Sequence, residues 1–285
     1  GWPVDPDSGS TRNRVPRSPL VLVDLDGDGY TEILSGFLNS GDHSEYNSNP
    51  IYALRYGGTV QPGIFPVGTN DLNYALASAD MNGDGGYEIY CHGTRYKSTG
   101  YKDFSWKEQP NVFSALTFAD VDQDGLPELI YGKNREYHQV RAVDQNGEVL
   151  PGWPVNTLEG EWDIVDSNPV AGDIDGDGDI EIMCGSYNTN LLFAWHHDGT
   201  PVDGFPIVSG RLDNHRIAIS DLDGDGDIEL ISANTDSMIY VWDIPSNGPC
   251  TNMEWPMYQH DMRHTGAYPI SETSVEQNKT TTPES

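Results

Sequence analysis

Basic residues are scarce in this chain. Its 285 residues include 15 lysines and arginines against 45 aspartates and glutamates, which gives a formal net charge of −30 at pH 7. A surface of that sign repels a phosphate backbone, so we expect no nucleic-acid partner. The basic stretch from Arg95 to Lys107 is therefore interpreted as a solvated loop.

Long apolar runs, paired cysteines and catalytic signatures are also missing. The apolar runs are too short to cross a bilayer, so no membrane span is expected. Three cysteines are an odd number, and Cys91 and Cys184 are interpreted as small buried residues at equivalent repeat positions. The sequence has no G-x-S-x-G, H-E-x-x-H, P-loop or Rossmann fingerprint. His260, Asp261 and His264 lie close together but are interpreted as part of the segment that closes the last repeat.

Five acidic phrases hold 21 of the 45 acidic residues. They are "DLDGDGYTE" from Asp24, "DMNGDGGYE" from Asp80, "DVDQDGLPE" from Asp120, "DIDGDGDIE" from Asp173 and "DLDGDGDIE" from Asp221. The intervals between the first aspartates are 56, 40, 53 and 48 residues. This spacing is typical of repeat architectures such as propellers. We call the five phrases the first to fifth acidic loops.

Apolar segments with strand character flank every acidic loop, so each loop is expected to join two adjacent strands. Downstream, most units add an aromatic-rich strand, a glycine turn and a closing phrase such as "GWPV", "GFPI" or, in the last unit, "EWPM". The sequence therefore predicts an all-β fold. We expect a β-propeller of about five four-stranded blades over residues 1–268, followed by a Thr/Ser/Pro-rich tail or linker over residues 269–285.

The second unit departs from the pattern, because the stretch between His92 and Val112 has no closing phrase. We expect that blade to be degenerate, or its outer strands to be replaced by an irregular loop.

Oxygen ligands alternate along each acidic loop, with carboxylates or an amide at positions 1, 3 and 5, a glycine at position 6, a carbonyl at position 7 and a glutamate at position 9. Such a set suits Ca²⁺, which accepts six to eight oxygens in flexible geometry, better than Mg²⁺. Cysteine and histidine are absent from these positions, which argues against zinc. The predicted ligands are Asp24, Asp26, Asp28, Tyr30, Glu32, Asp80, Asn82, Asp84, Gly86, Glu88, Asp120, Asp122, Asp124, Leu126, Glu128, Asp173, Asp175, Asp177, Asp179, Glu181, Asp221, Asp223, Asp225, Asp227 and Glu229.

About five structural Ca²⁺ ions are expected, each neutralising carboxylates that would otherwise repel one another. The second loop should bind most weakly, because Asn82 replaces an aspartate there. An EF-hand is excluded, since its loop needs a glutamate at position 12. That position is occupied by Ser35, Cys91, Tyr131, Cys184 and Ser232.

Five D-x-[DN]-x-D-G phrases with matching flanking strands resemble the FG-GAP family of calcium-loop propeller repeats, found in integrin α-chains and in many secreted bacterial proteins. The resemblance covers roughly residues 15 to 266. It implies a β-propeller in which Ca²⁺ loops join two adjacent strands of each blade, and a secreted, extracellular or cell-surface location.

Two functions remain open at this stage. The first is a non-enzymatic binding, adhesion or assembly module whose partner is a glycan, a protein surface or other copies of the chain. The alternative is a polysaccharide lyase acting on uronic-acid polymers, because some secreted pectic lyases resemble this chain in their calcium-loop propellers. No catalytic residues of such a lyase are matched here, so binding or assembly is preferred.

Aromatic residues outside the repeated phrases are the predicted ligand-binding residues, since exposed rings stack on sugars. They are Tyr96, Tyr101, Trp106 and Trp162. Asn278 begins an N-x-T acceptor for glycosylation. The "GWPV" of residues 1–4 looks like a closing strand left without its blade, and we expect both chain ends to engage the outer blades or a neighbouring molecule.

Overall fold

The structure is a computed structural model and describes residues 14–16, 18–39, 49–63, 65–69, 75–91, 93–105, 115–133, 139–157, 168–186, 189–209, 217–234, 236–250 and 252–270. These ranges contain twenty β-strands and no helix, and thus no helix long and apolar enough to cross a membrane. The chain divides into two compact units, Gly1–Val112 with Arg263–Ser285, and Phe113–Met262.

Nine strands belong to the first unit and eleven to the second. Those of the first unit are β1 (Arg14–Pro16), β2 (Val21–Val23), β3 (Glu32–Asn39), β4 (Asn49–Leu54), β5 (Val67–Thr69), β6 (Leu76–Ala79), β7 (Glu88–Cys91), β8 (Thr94–Tyr96) and β9 (Lys102–Ser105). Those of the second unit are β10 (Thr117–Ala119), β11 (Glu128–Lys133), β12 (Gln139–Val143), β13 (Val155–Asn156), β14 (Val170–Gly172), β15 (Glu181–Gly185), β16 (Leu191–Trp195), β17 (Ile207–Val208), β18 (Ile217–Ser220), β19 (Ile228–Ala233) and β20 (Ile239–Ile244).

The strands form five antiparallel sheets, one for each acidic loop. The first unit contains β2-β3-β4-β5, with β1 paired to the far end of β3, and β6-β7-β8-β9. The second unit contains β10-β11-β12-β13, β14-β15-β16-β17 and β18-β19-β20. Every acidic loop joins the first and second strands of its sheet, which confirms the predicted all-β repeat and its strand order.

The first strands of the sheets are short and apolar on both faces, and this composition buries them. All residues of β6, β7, β14 and β15 are buried. First strands of consecutive sheets within a unit lie next to one another, so β6, β10 and β14 are buried throughout, whereas β2 and β18 keep half-buried residues. Cys91 and Cys184 lie in β7 and β15, where both are buried, which confirms their interpretation as core residues.

The second sheet corrects the expectation of a degenerate blade. It has four strands, and the outer two, β8 and β9, come from the basic stretch that the sequence suggested was a solvated loop. Arg95 on β8 pairs with Asp103 on β9 at 2.7 Å, so a cross-strand ion pair takes the place of apolar strand residues. Short polar strands of this kind carry little hydrophobic periodicity.

The phrase "EWPM" corrects a second expectation, because it is not the outer strand of the fifth sheet. Trp255 exchanges two backbone hydrogen bonds with Ala171 of β14, at 2.8 and 3.0 Å, and Met257 forms a bridge with Ala218 of β18. In the first unit, Ser78 of β6 likewise bonds to the backbone around Ala267. The C-terminal segment therefore covers free edges of first strands, and the fifth sheet has three strands in the described part of the chain.

Candidate metal centres

The five acidic loops share one backbone geometry. The glycine at position 6 has a positive φ in every loop, from 81° to 100°, which confirms the predicted reversal at this position. Position 4 is also left-handed, and in the third loop Gln123 occupies it at φ 58°. These two reversals turn the side chains of positions 1, 3 and 5 toward the interior of the loop.

Backbone N–H groups hold the loop carboxylates in place. The N–H of position 7 donates to the carboxylate of position 5 in all five loops, at 2.9 to 3.0 Å. The N–H of position 5 donates to the side-chain oxygen of position 3 in all five, at 2.8 to 3.3 Å. The position-1 aspartate accepts from position 6 in the first three loops and from position 4 in the last two. The acids are thus organised before any ligand arrives.

The glutamate at position 9 is the first residue of the second strand in four sheets and the second residue of β19 in the fifth, and it turns back over the loop. Its Oε2 accepts a hydrogen bond from the backbone N–H of position 2, at 2.9 Å in the first loop, 2.9 Å in the third and 3.0 Å in the fourth. All five glutamates are buried, and Glu32 and Glu181 have no exposed surface. Each loop therefore encloses a carboxylate shielded from water.

Carboxylates converge within these loops. In the following groups each residue offers one oxygen that lies within 4.8 Å of the others: Asp24, Asp26 and Glu32; Asp80, Asp84 and Glu88; Asp120, Asp122 and Glu128; and Asp173, Asp175 and Asp177. The structure thus brings together predicted ligands of the first four loops.

Several of these oxygens are buried without a hydrogen-bond partner among the described residues, namely Glu32 Oε1, Glu88 Oε2 and Asp120 Oδ1. Burial, reinforced by neighbouring aspartates, raises the pKa of Glu88 and of Glu128 to about 8. Burial also raises the pKa of Asp80, Asp120 and Asp173 at position 1. An orphaned buried carboxylate is costly unless a proton or a cation compensates it, so these residues fit a divalent oxygen-seeking ion.

One further residue in each sheet lies opposite the position-9 glutamate on the third strand. The strand register is fixed by pairs such as Ile33–Leu54, Leu129–Val143 and Ile182–Trp195. Each of these pairs is adjacent to the glutamate in the sequence. The glutamate therefore lies opposite the residue that follows the third strand and begins the next turn. In the fifth sheet the pair Glu229–Asp243 is formed within the strands themselves. The residues opposite the five glutamates are, in chain order, Arg55, Lys97, Asp144, His196 and Asp243. We call them the facing residues.

The facing residues of the first and fourth loops contact the loop acids. The Arg55 guanidinium forms an ion pair with Asp26 at position 3, and Gln61 donates to the same carboxylate at 2.8 Å. Gln61 and Arg55 together lower the pKa of Asp26. His196 Nδ1 lies 3.1 Å from Glu181 and 4.0 Å from Asp175, again at position 3.

The facing residues were not predicted from the sequence. They lie 9 to 23 residues beyond their glutamates, outside the acidic phrases. A signal was present, however, because four of them begin the same glycine turn. In "RYGGT", "KSTGY", "DQNGE" and "HHDGT" the first residue exchanges hydrogen bonds with the fourth and fifth.

The predicted ligand-binding aromatics divide into three groups. Tyr101 is 59% exposed, as expected for a surface residue. Tyr96 is 6% exposed and packs in the core of the first unit, which corrects its prediction as a surface binder, because alternation along β8 points this ring inward. Trp106, Trp162, Asn278 and residues 1–4 lie outside the described residues.

The histidine-rich segment at the end of the second unit packs as a structural element. The His260 ring lies 4.9 Å from the Trp255 ring, and Trp255 is 1% exposed. Burial lowers the pKa of His260. Its side chain therefore belongs to the packing around Trp255.

Comparison with known proteins identifies the family. The FG-GAP-like repeat matches residues 24–91, 120–184 and 173–232, which together span more than half of the chain. The chain belongs to this family. The three matched segments begin at the first aspartates of the first, third and fourth acidic loops.

Solved structures identify the fold as a β-propeller. The exotype rhamnogalacturonan lyase YesX is 18% identical with a TM-score of 0.56, and the match covers 88% of this chain and 50% of that one. The BBS1 N-terminal region, solved in complex with ARL6, is 14% identical with a TM-score of 0.53, covering 88% of this chain and 69% of that one. At these identities the likeness concerns the fold alone, and each sheet described above corresponds to a blade.

A curated relative covers a smaller part of its own length. The BBSome complex member BBS2 of Mus musculus is 25% identical over 172 residues, which is 60% of this chain and 21% of that protein. The chain thus spans about a fifth of this relative and about half of the lyase.

Proposed function

We propose that the chain is a calcium-stabilised extracellular β-propeller that acts as a non-enzymatic binding or assembly module. The observation that carries the calcium part is the set of buried carboxylate oxygens without partners, Glu32 Oε1, Glu88 Oε2 and Asp120 Oδ1, inside loops whose remaining acids are already oriented. A cation bound there compensates the burial of charge in several blades at once.

Calcium is favoured over other ions by the ligand chemistry. The shared candidates are carboxylate, amide and carbonyl oxygens, and a nine-residue turn built of hydrogen-bonded side chains accommodates an irregular shell of six to eight ligands. Millimolar Ca²⁺ outside cells would keep such loops occupied, which agrees with the expected secreted or cell-surface location. Magnesium requires a tighter octahedron and retains its waters, so it substitutes poorly.

A binding or assembly role is supported by the distribution of the sites. Each acidic loop serves its own sheet, as expected of structural ions rather than of one reaction centre. The outer edge of β20 pairs with no further strand in the described part of the chain, and Met238, Ile239 and Val241 are exposed beside it. An apolar strand edge of this kind is suited to a protein surface or another copy of the chain, while Tyr101 is a candidate for stacking on a glycan.

The test has two parts that use the full chain. Thermal unfolding is followed with calcium, with EGTA and with magnesium, and we expect a markedly lower Tm only when calcium is missing. Calcium-loaded protein is then applied to glycan arrays and incubated with uronic-acid polymers while ultraviolet absorbance is recorded. Retention on a glycan or self-association supports the module, whereas steady formation of unsaturated uronates would replace it with the lyase.

A further inference from the structure

A histidine joins the acids of the fourth loop. His196 Nδ1, an oxygen of Glu181 and an oxygen of Asp175 all lie within 4.8 Å of one another. The separations from Nδ1 are 3.1 Å to Glu181 Oε1 and 4.0 Å to Asp175 Oδ2. Glu181 is fully buried and His196 is half-buried, so the group is shielded but accessible from one side.

These separations match the edges of a metal coordination shell. With metal–nitrogen and metal–oxygen bonds of about 2.0–2.2 Å, two ligands of a tetrahedral ion lie about 3.4 Å apart. The distances from the imidazole to its two carboxylates fall on either side of that value. A single ion can therefore bind all three atoms once the Asp175 carboxylate moves closer to the imidazole.

The position of His196 in the sheet gives independent support. Arg55 occupies the same facing position in the first sheet, begins the same glycine turn, and also contacts the position-3 carboxylate of its own loop. The guanidinium of Arg55 in the first sheet and the imidazole of His196 in the fourth thus approach their own loops from equivalent positions. In these two sheets the facing position brings a side chain against the acidic loop, and the residue type decides which group meets the carboxylates.

We propose that the fourth acidic loop binds a transition-metal ion of the Zn²⁺ class through His196 Nδ1, Glu181 Oε1 and Asp175 Oδ2. Imidazole nitrogen suits Zn²⁺, Co²⁺ and Ni²⁺, whereas Ca²⁺ takes oxygen ligands. The ion replaces the proton that otherwise joins Nδ1 to Glu181, and the proton remaining on the imidazole lies on Nε2. The proposal rests on the loops being cation sites, as in the proposed function, and it gives one loop a different ion.

The charged surroundings favour retention of such an ion. Asp173 and Asp177 belong to the same loop, and each has a carboxylate oxygen within 4.8 Å of an oxygen of Asp175. The neighbouring histidine, His197, contacts a different carboxylate, that of Asp179, at 3.1 Å. His197 therefore serves as a matched control next to His196 in the sequence.

The experiment uses the full chain without an affinity tag, because a polyhistidine tag would bind the probe ions. Zinc binding is measured by calorimetry in buffer with excess Ca²⁺, for the original protein and for His196→Asn, His196→Asp and His197→Asn. A second measurement follows the imidazole nitrogens of ¹⁵N-labelled protein by NMR during the zinc titration. Calcium binding by the same four proteins is measured separately in zinc-free buffer.

We expect one zinc site in the original protein and in His197→Asn. Loss of the ligand in His196→Asn should weaken zinc binding by at least about tenfold, and the carboxylate of His196→Asp, itself a zinc ligand, should restore part of that loss. Calcium binding by the remaining loops should stay intact, and the Nδ1 resonance of one histidine should move to the metal-bound range and disappear in His196→Asn.

Equal zinc affinity of His196→Asn and the original protein, or zinc binding without a shift of that resonance, overturns the proposal. Such a result leaves the calcium proposal standing as long as calcium still raises the Tm. Conversely, zinc bound through His196 in a protein that calcium does not stabilise would support this site and contradict the proposed function. The two failures are therefore distinguishable.

Discussion

The first and third acidic loops have nearly the same phrase but different facing residues. Opposite Glu32 the first sheet has Arg55, whose guanidinium pairs with Asp26. Opposite Glu128 the third sheet has Asp144, whose carboxylate accepts hydrogen bonds from the N–H groups of its own turn. The Arg55 guanidinium thus neutralises part of the negative charge of the first loop. The facing residue of the third loop supplies no positive charge.

The same contrast separates the two units. Loops of the first unit face Arg55 and Lys97, whereas loops of the second unit face Asp144, His196 and Asp243. Like charges directly opposite each other on a sheet are destabilising. We infer that the dependence on an external cation varies with the facing residue as well as with the acidic phrase, and we expect it to be greater in the second unit, where two of the three facing residues are acids.

Removal of calcium is expected to have the largest effect. A site occupied at a hundred times its Kd stabilises the folded state by about 2.7 kcal/mol, so several sites account for a large loss of Tm in EGTA. Hydrogen exchange measured segment by segment should show a greater loss of protection around Gly125, Gly178 and Gly226 than around Gly29. Magnesium at equal ionic strength is the control and should restore little; uniform loss of protection in all five loops would remove the contrast between units.

The pH dependence of the calcium-free protein is the next largest effect. The pKa of Glu88 and of Glu128 is raised in the folded chain from 4.5 to about 8. A raised carboxyl pKa gives stability that is complete below the unfolded value and is lost as pH rises through the folded value. We therefore expect the free energy of unfolding in EGTA to fall between pH 4.5 and 8.

Glu128→Gln should flatten part of this pH dependence, because the amide keeps an acceptor for the N–H of Val121 and carries no charge. Urea unfolding at several pH values measures it, and calcium should oppose the decline by competing with protons. A calcium-free protein that gains stability across the same range would contradict the burial argument.

The substitution Arg55→Asp gives the first loop the facing residue of the third. It removes an ion pair that is partly exposed, with the side chains of Arg55 and Asp26 about one-third accessible, and places an acid opposite Glu32. We expect the calcium-free protein to lose about 1 kcal/mol. The stabilisation gained on adding calcium should increase at the same time. Equal losses with and without calcium would mean that Arg55 acts only through packing.

The reciprocal change, Asp144→Arg, is expected to have the smallest effect. A basic residue opposite Glu128 should stabilise the calcium-free protein by about 0.2–1 kcal/mol and weaken calcium binding in the third loop. Arg141→Lys, on the preceding strand β12, is a control that keeps the charge and changes no facing residue. Tighter calcium binding in Asp144→Arg would show that the facing position does not act on the loop.

The repeat itself could be predicted from the sequence, and the facing residues could not. Each acidic phrase carries its own ligands, turn glycines and flanking strands within nine residues and their neighbours, so local chemistry suffices. Arg55 and His196 meet their loops only through the register of the second and third strands. Register depends on pairing across the sheet, which the phrases do not encode.

Two other differences have similar causes. The outer strands of the second sheet were missed because Thr94–Tyr96 and Lys102–Ser105 are short and polar, and an ion pair rather than an apolar pattern joins them. Trp255 lies in the core, since it is 1% exposed. The predicted strand pairing of the "EWPM" phrase was wrong. An extended "WP" phrase fits the outer edge of one sheet or the inner edge of another equally well, and only the fold selects between them.

The measurement that tests the central claim most directly is a crystal structure of the calcium-loaded chain with an anomalous difference map. We predict one peak in each acidic loop, about 2.3–2.6 Å from the oxygens of positions 1, 3, 5, 7 and 9. The peak should be weaker in the first loop, beside Arg55, and in the second, which has Asn82. Loops that hold only water, with the position-9 glutamates still buried, would contradict the account.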